Sequence, residues 1–341
     1  MPNKRAITIN LEEVAKQAGV STSTVSRVLN NLNVVKTSTR TRVMRAIEEL
    51  NYHPNLHARS LAHGRSRILG IIVSNMENPF FLDIYRTLES DAHSHGYQVV
   101  VANTDYNSQQ LVASVQLMIG WRVAGLAAVV SEMDSHLLKA LASSKIPTAL
   151  YDVGAPQQNI AKVRVDYRKG TKKTIDYLKS LGHRHMAFVG HHSTLGPISE
   201  RRKTFLEIVG ANTSGAESRI FAASDGLEGG REAARAILAS GLKATAILCV
   251  NDFMAVGVLR ELREHGIDVP KDVSVTGFDN IKLAEFCSPA LTTVHIPRDQ
   301  IGHIIFESLV SETRNTQGSL HETVIDPELV VRESTGVARK L

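Results

Sequence analysis

From Ile68 onward short apolar runs alternate with amphipathic stretches, and this alternation restricts the chain to a few architectures. The run ILGIIV leads into a helical pattern from about Pro79 to His95; YQVVVA leads into a second near Ser108, and GLAAVV follows. Apolar runs joined by helices are parallel strands whose sheets those helices cover on both faces. Glycines 96, 182 and 266 stand where helices should stop, the position just past a helix C-terminus that glycine favours. The pattern runs for about 270 residues, more than one hydrophobic core normally serves, so two α/β lobes with doubly wound parallel sheets are expected. Such sheets bind ligands beyond the carboxyl ends of their strands, which puts the expected site in the cleft between lobes.

Polar residues directly after the apolar runs are therefore the candidates: Ser74 and Asn78 after ILGIIV, Asp152 after PTALY, Asn251 after AILCV and Asp279 after VSVTGF. Carboxylates and amides converging on one cleft can accept from and donate to vicinal hydroxyls, a set suited to a sugar or polyol. Phe80 is placed either to stack on such a ligand or to pack the cleft floor. Any one of Asp152, Asn251 and Asp279 could instead cap a helix or shape a turn. Together, at corresponding places of two lobes, they favour a site.

The segment before Ile68 has a different character. Residues 1 to 67 carry eleven lysines and arginines against four glutamates, a net +7, although the whole 341-residue chain is only +5. A basic head on a slightly acidic body suits a phosphate backbone, and equally a solvated basic surface. The pattern within the head decides between them. Asn10 followed by Glu13 resembles a capping box, and Leu11, Val14, Ala15 and Ala18 then share one face of a short helix that Gly19 ends. Ser21 offers the next N-cap, giving helix, turn and helix within some twenty residues. At about 100° per residue, Thr22, Ser23, Ser26, Arg27 and Asn30 fall on one arc of the second helix, with Thr24, Val25, Val28 and Leu29 on the other. Short hydroxyl and amide side chains can approach base edges, and Arg27 can donate twice to a guanine, as a major-groove reader requires. A third helix from about Ser38, with Val43, Ala46, Ile47 and Leu50 inward, closes the core. Beyond Pro54, residues 55 to 63 could form barely two turns, too short to be stable alone in water. They are a helix that folds on docking, or a plain linker.

INLEEVAKQAGVSTSTVSRVLNN and TRTRVMRAIEELNYHPNLHARSLA resemble the head and hinge of the lactose-repressor (LacI/GalR) family of bacterial transcription regulators. The resemblance continues through ILGIIVSNMENPFF, LKSLGHRHMAFVG, AILCVNDFMAVGVLRELREHGIDVP, VSVTGFDN, SPALTTVHIP and ELVVREST. It implies a helix-turn-helix head over 1–54, a hinge helix or linker over 55–66, and a periplasmic-binding-protein-like core over 67–341. Within that core, one lobe spans about 67–166 and 298–326, and the other about 167–297 and 327–341. It further implies a sequence-specific repressor, homodimeric on a pseudo-palindromic operator in double-stranded DNA and switched by a small-molecule effector, with induction the commoner family behaviour. Thr22, Ser23 and Arg27 would touch bases, with Ser21, Thr24 and Asn30 on or near phosphates. Leu61 matches the leucine such proteins wedge into the minor groove, with Ala58 beside it and Asn55 near the start of the hinge. The effector contacts gain an arginine that aligns with Arg201 in SERRKTF, with Arg202 the alternative. Two positions depart from sugar-binding relatives: Asp225 replaces a stacking tryptophan, and Ile296 a frequent glutamine.

Other functional classes find little support. His183, His185, His191 and His192 crowd one segment, but a strand would separate the two pairs and no cysteine or carboxylate joins them at ligand spacing, so no metal is expected. No G-x-S-x-G elbow, Walker loop or G-x-G-x-x-G fingerprint occurs, which argues against an enzyme, and no cofactor is expected. The longest apolar stretches fall far short of the ~18 residues of a membrane helix. Acidic and basic residues precede any signal-like apolar segment, which points to the cytoplasm and away from a secreted solute receptor. Cys249 and Cys287 fit that compartment as free thiols. After ELVVREST no heptad extension follows, so nothing in the sequence supports coiled-coil tetramers.

Overall fold

A computed structural model describes residues 10–29, 34–52, 66–153, 160–192, 196–210, 218–313 and 322–340. The chain divides into two compact units, residues 1–66 and 67–341.

In the first unit, α1 (Leu11–Ala18), α2 (Thr22–Leu29) and α3 (Thr37–Glu49) enclose a small core. The capping box is formed: Glu13 N donates to Asn10 Oδ1 at 3.0 Å, and Asn10 N donates to Glu13 Oε2 at 2.9 Å. Gly19 ends α1 at φ 62°, a left-handed conformation that glycine adopts without steric cost. Val14, Val25, Val28 and Val43 are buried. Each contributes about 1.5 kcal/mol or more by leaving water, which together must fix three helices too short to persist alone.

The second unit contains two parallel sheets. The larger has the order β2–β1–β3–β4–β5–β11, from β1 (Ile68–Val73), β2 (Gln98–Asn103), β3 (Gly125–Val129), β4 (Thr148–Tyr151), β5 (Ile160–Val165) and β11 (Glu322–Ile325). The smaller has the order β7–β6–β8–β9, from β6 (Met186–His191), β7 (Ser218–Ala223), β8 (Ala246–Cys249) and β9 (Ser274–Thr276). A two-stranded antiparallel ribbon, β10 (Thr293–His295) with β12 (Glu328–Val330), lies on the paths between them. The strands that read as continuous apolar runs, β1, β3, β6 and β8, are central and buried, as strands covered on both faces must be.

The larger sheet is covered by α4 (Pro79–Ser94), α5 (Ser108–Gly120), α6 (Ser135–Ser144) and α12 (Arg298–Thr313). The smaller one packs with α7 (Tyr167–Ser180), α8 (Gly196–Gly210), α9 (Leu227–Ala239) and α10 (Asp252–Glu264), and a short α11 (Lys282–Phe286) follows β9. The chain passes from one lobe to the other after β5, returns after β10 and crosses again after β11. Strand order reverses between β1 and β3 in the larger sheet and between β6 and β8 in the smaller. Loops leaving those strands diverge to opposite faces, opening a crevice in each lobe.

The tightest helix contact joins α9 and α10, which meet backbone to backbone. A Cβ added at Gly230 would lie 2.0 Å from the Met254 carbonyl oxygen, and one at Gly257 1.9 Å from that of Leu227. Among the described residues no helix is long and apolar enough to cross a membrane.

Candidate functional site

In the head, the faces of α2 segregate as its sequence periodicity requires. Val25 and Val28 are buried, while Ser21, Thr22, Ser23 and Arg27 are exposed. Ser21 caps the helix, its Oγ accepting from Thr24 N at 3.3 Å and lying 2.8 Å from Ser23 Oγ and 3.0 Å from Thr24 Oγ1. The outer face of α2 therefore presents short hydroxyls and one guanidinium on a helix held by packing from behind. Asn30, Asn55, Ala58 and Leu61 lie outside the described residues.

In the second unit, residues from both sheets line a cleft. Its wall comes from loops at the two strand-order reversals: Asn78, Val130 and Ser131 follow β1 and β3, while His191, Val250 and Asn251 end β6 or follow β8. Of the sequence candidates, Asn78, Phe80, Arg201, Asn251 and Asp279 line it. Asn78 and Asn251 are also N-caps: Asn78 Oδ1 accepts from Phe80 N at 3.1 Å, and Asn251 Oδ1 from Met254 N at 2.8 Å. Capping orients each amide, and Asn251 Nδ2 is turned to Asp225 Oδ1, to which it donates at 2.8 Å. Phe80 packs edge-on to Phe81, ring centroids 5.4 Å apart, and tilted against Tyr151 at 5.9 Å.

Arg201, not Arg202, belongs to this wall. Its guanidinium donates to Val250 O at 2.7 Å and to Pro197 O at 3.3 Å, and lies 3.8 Å from Asp279 Oδ1. It also sits over the rings of Tyr167 and Phe278, at 4.7 and 5.0 Å from their centroids. Fixed carbonyls and aromatic faces thus hold a buried cation that a flexible side chain could not otherwise keep in place. Asp279 has φ 107°, which turns its carboxyl back toward the cavity, and burial raises its pKa against the opposing pull of Arg201.

Two expected contacts sit behind the wall. Ser74 gives its hydroxyl to Glu132 Oε2 at 2.7 Å in a buried cluster that also receives Ser131 N and Thr104 Oγ1. Asp152 receives Val165 N at 2.7 Å and the Tyr167 hydroxyl at 2.5 Å, and Tyr167 in turn lies 2.8 Å from the Tyr151 hydroxyl. Each follows its strand as expected, but with its polar atoms engaged internally, so Ser131 and the two tyrosines form the surface instead.

Burial pushes the Asp152 carboxyl up to about 7, against the hydrogen bonds from Tyr167 and Val165. Burial likewise raises Asp252 to about 7, against Thr293 and Ile281. In the unfolded chain both ionise near 3.8. Between those values the folded state holds protons that the unfolded state has released, so the contribution of these two carboxyls to stability falls as pH rises from about 4 to about 7 and levels off above, while His183, His191 and His295, whose pKa values burial lowers, act in the opposite sense. Urea unfolding at pH 5 and pH 8 should therefore show a change in stability between the two that is less favourable to high pH in the wild type than in Asp152→Asn. An equal change in both would mean that Asp152 is charged in the folded protein.

Asp225, which the sequence marked only as a departure from relatives, lines the wall, as do Tyr106, His191 and Tyr167, none of them a candidate contact from sequence. Asp225 is the centre of the site. Its carboxylate accepts from Asn75 Nδ2 at 3.0 Å, the Tyr106 hydroxyl at 2.9 Å and Asn251 Nδ2 at 2.8 Å. Asn75 and Tyr106 follow β1 and β2, so two of these bonds join the lobes. The Tyr106 ring also lies against His191, centroids 4.7 Å apart. The signal was present, since Asp225 follows β7 as Asn251 follows β8, but SRIFAA is less apolar than the central strands. Of the other histidines, His183 bridges Thr245 Oγ1 and Gly336 O, each at 3.0 Å, and tethers the C-terminal segment.

A helix-turn-helix unit with a polar, basic outer face, followed by a two-lobed unit with a polar cleft, defines a DNA-binding regulator on a periplasmic-binding-protein-like body. Residues 10–55 match the model of bacterial regulatory proteins of the lacI family, and residues 175–335 that of the periplasmic binding protein-like domain. The chain is 33% identical over 332 residues to the HTH-type transcriptional repressor PurR of Vibrio campbellii, covering 95% of this chain and 98% of that one. It resembles the crystal structure of the lac repressor dimer bound to operator and the anti-inducer ONPF, with TM-score 0.81, 26% identity and coverage of 96% and 99%. A complex of the transcriptional regulator CelR with cellobiose matches with TM-score 0.66, 27% identity and coverage of 96% and 99%. The chain belongs to the lacI family and is a DNA-binding transcriptional repressor.

Proposed function

We propose that the protein represses transcription in the cytoplasm as a homodimer on a pseudo-palindromic operator, and that a sugar or sugar derivative bound between its lobes releases it from DNA. The observation that carries this reading is the cleft wall. Arg201, Asn251, Asp225 and Asp279 from one lobe face Asn78, Phe80 and Tyr106 from the other, a mixture of acceptors, donors and rings suited to hydroxyls on a small ring. In this reading the lobes span about 67–166 with 298–326, and about 167–297 with 327–341. The ligand acts only through its different affinity for the two arrangements of the lobes. Dimerisation doubles the base pairs read, because one eight-residue helix such as α2 reaches too few for specificity.

Selection from a random duplex pool tests the DNA half, and should return a two-fold symmetric site. Thr22, Ser23 and Arg27 then contact bases, with Ser21 and Thr24 at phosphates; the same is proposed of Asn30 at phosphates and of Asn55, Ala58 and Leu61 in the hinge. Arg27→Ala should lose about 1–3 kcal/mol of operator affinity and relax preference at one base position per half-site. An unchanged affinity would remove α2 from the groove. For the effector half, fluorescence anisotropy of the bound operator is followed while sugars are added. Release by at least one supports the reading, and retention of DNA with every sugar, together with no thermal stabilisation, rejects it.

A further inference from the structure

We infer that Asp225 selects the charge class of the effector: the cleft takes an uncharged, hydroxyl-rich ligand and rejects sugar phosphates and sugar acids. The inference rests on the effector reading of the cleft and deepens it.

All three donors to Asp225, the Asn75 and Asn251 amides and the Tyr106 hydroxyl, are uncharged. They spread the carboxylate charge without neutralising it. Asp279 stands on the same wall. Among the described residues of that wall, Arg201 is the one permanent cation, and two of its five N–H donors are taken by protein carbonyls. It donates to Val250 O and Pro197 O, lies 3.8 Å from Asp279, and is sandwiched by Tyr167 and Phe278. The nearby imidazole of His191 adds no compensating charge, because burial lowers its pKa.

A neutral sugar can replace the two donors that reach Asp225 across the cleft, with its own hydroxyls taking the places of Asn75 Nδ2 and the Tyr106 hydroxyl. The carboxylate then stays fully hydrogen-bonded while the lobes separate or rotate. A carboxylate, or a phosphate ester ionised at neutral pH, brings a like charge to the half-buried Asp225. Like charges brought together in a low dielectric are rejected strongly, a form of specificity achieved by repulsion.

The test is a titration of the full-length protein by calorimetry and thermal unfolding, with D-ribose, D-glucose and D-galactose. Each is set beside its phosphate ester (D-ribose 5-phosphate, D-glucose 6-phosphate, D-galactose 6-phosphate) and its aldonic acid. In the wild type, any compound that binds should be a neutral member, at least tenfold tighter than its charged counterparts. In Asp225→Asn, which removes the charge but keeps the shape, that ratio should narrow about tenfold at constant pH and salt. A merely structural role for Asp225 would weaken all compounds alike and leave the ratio unchanged. If Asp225→Asn folds poorly, the wild-type ratios decide. A phosphate or acid that binds as tightly as its parent sugar overturns the inference and leaves the effector site standing. Failure of every compound to bind rejects the sugar reading, and the inference with it.

Discussion

Gly257→Ala is expected to destabilise the second unit by about 3 kcal/mol, although alanine is the better helix former. In an open helix interior the exchange would gain up to about 1 kcal/mol by reducing the freedom of the unfolded chain. Gly257 is not in an open position. Its added methyl would lie 1.9 Å from the Leu227 carbonyl oxygen and 3.2 Å from Arg231 N, both backbone atoms that cannot swing aside. α9 and α10 must therefore move apart, opening contacts along the buried side that contains Ala233, Ala234, Met254 and Val258. For a unit of this size the loss corresponds to a fall of roughly 6–12 °C in melting temperature. Gly120→Ala is the control, since a Cβ there meets nothing within 4 Å, and its melting temperature should hold or rise slightly. Equal behaviour of the two variants would show that α9 and α10 can separate at no cost.

Asp279→Asn is expected to weaken the effector by about 2 kcal/mol, roughly 30-fold, while operator affinity without effector stays within about threefold of wild type. A carboxyl can accept two hydroxyl donors and still face Arg201; an amide accepts with one oxygen and turns its NH₂ on the guanidinium 3.8 Å away or on the ligand. Asparagine tolerates the positive φ of this position better than alanine, so the exchange tests the chemistry more than the backbone. Operator release is titrated by anisotropy against the sugar found active. Release at the wild-type concentration would exclude Asp279 from the ligand contacts.

Arg201 and Asp225 mark how far residues in isolation could be read. SERRKTF contains two adjacent arginines, and helical geometry turns them to different sides; burial on α8 settles the matter for Arg201, whose guanidinium reaches the carbonyls of Pro197 and Val250. Asp225 stood out in sequence only as a departure from relatives. It became the centre of the cleft because the chain crosses between lobes and brings Asn75 and Tyr106, distant in sequence, within hydrogen-bonding reach of it. Ser74 and Asp152 illustrate the opposite case. Their position after a strand was legible, but the buried Glu132 and the Tyr167 hydroxyl take their polar atoms inward. A strand-end position locates a side chain to within a few ångströms, and hydrogen-bond competition then decides whether it faces ligand or protein.

The sequence by itself determined the parallel sheets, the three-helix head with its caps, and the polar, basic outer face of α2. Those properties follow from the spacing of apolar residues and from caps only a few positions away, interactions that a chain carries locally. Tertiary structure alone decided the membership of the cleft wall, the hydrogen bonds to Asp225 that join the lobes, and the glycine contact of α9 with α10. Each depends on backbone segments far apart in sequence meeting at distances set by the packing of whole sheets and helices, and no local period encodes such distances.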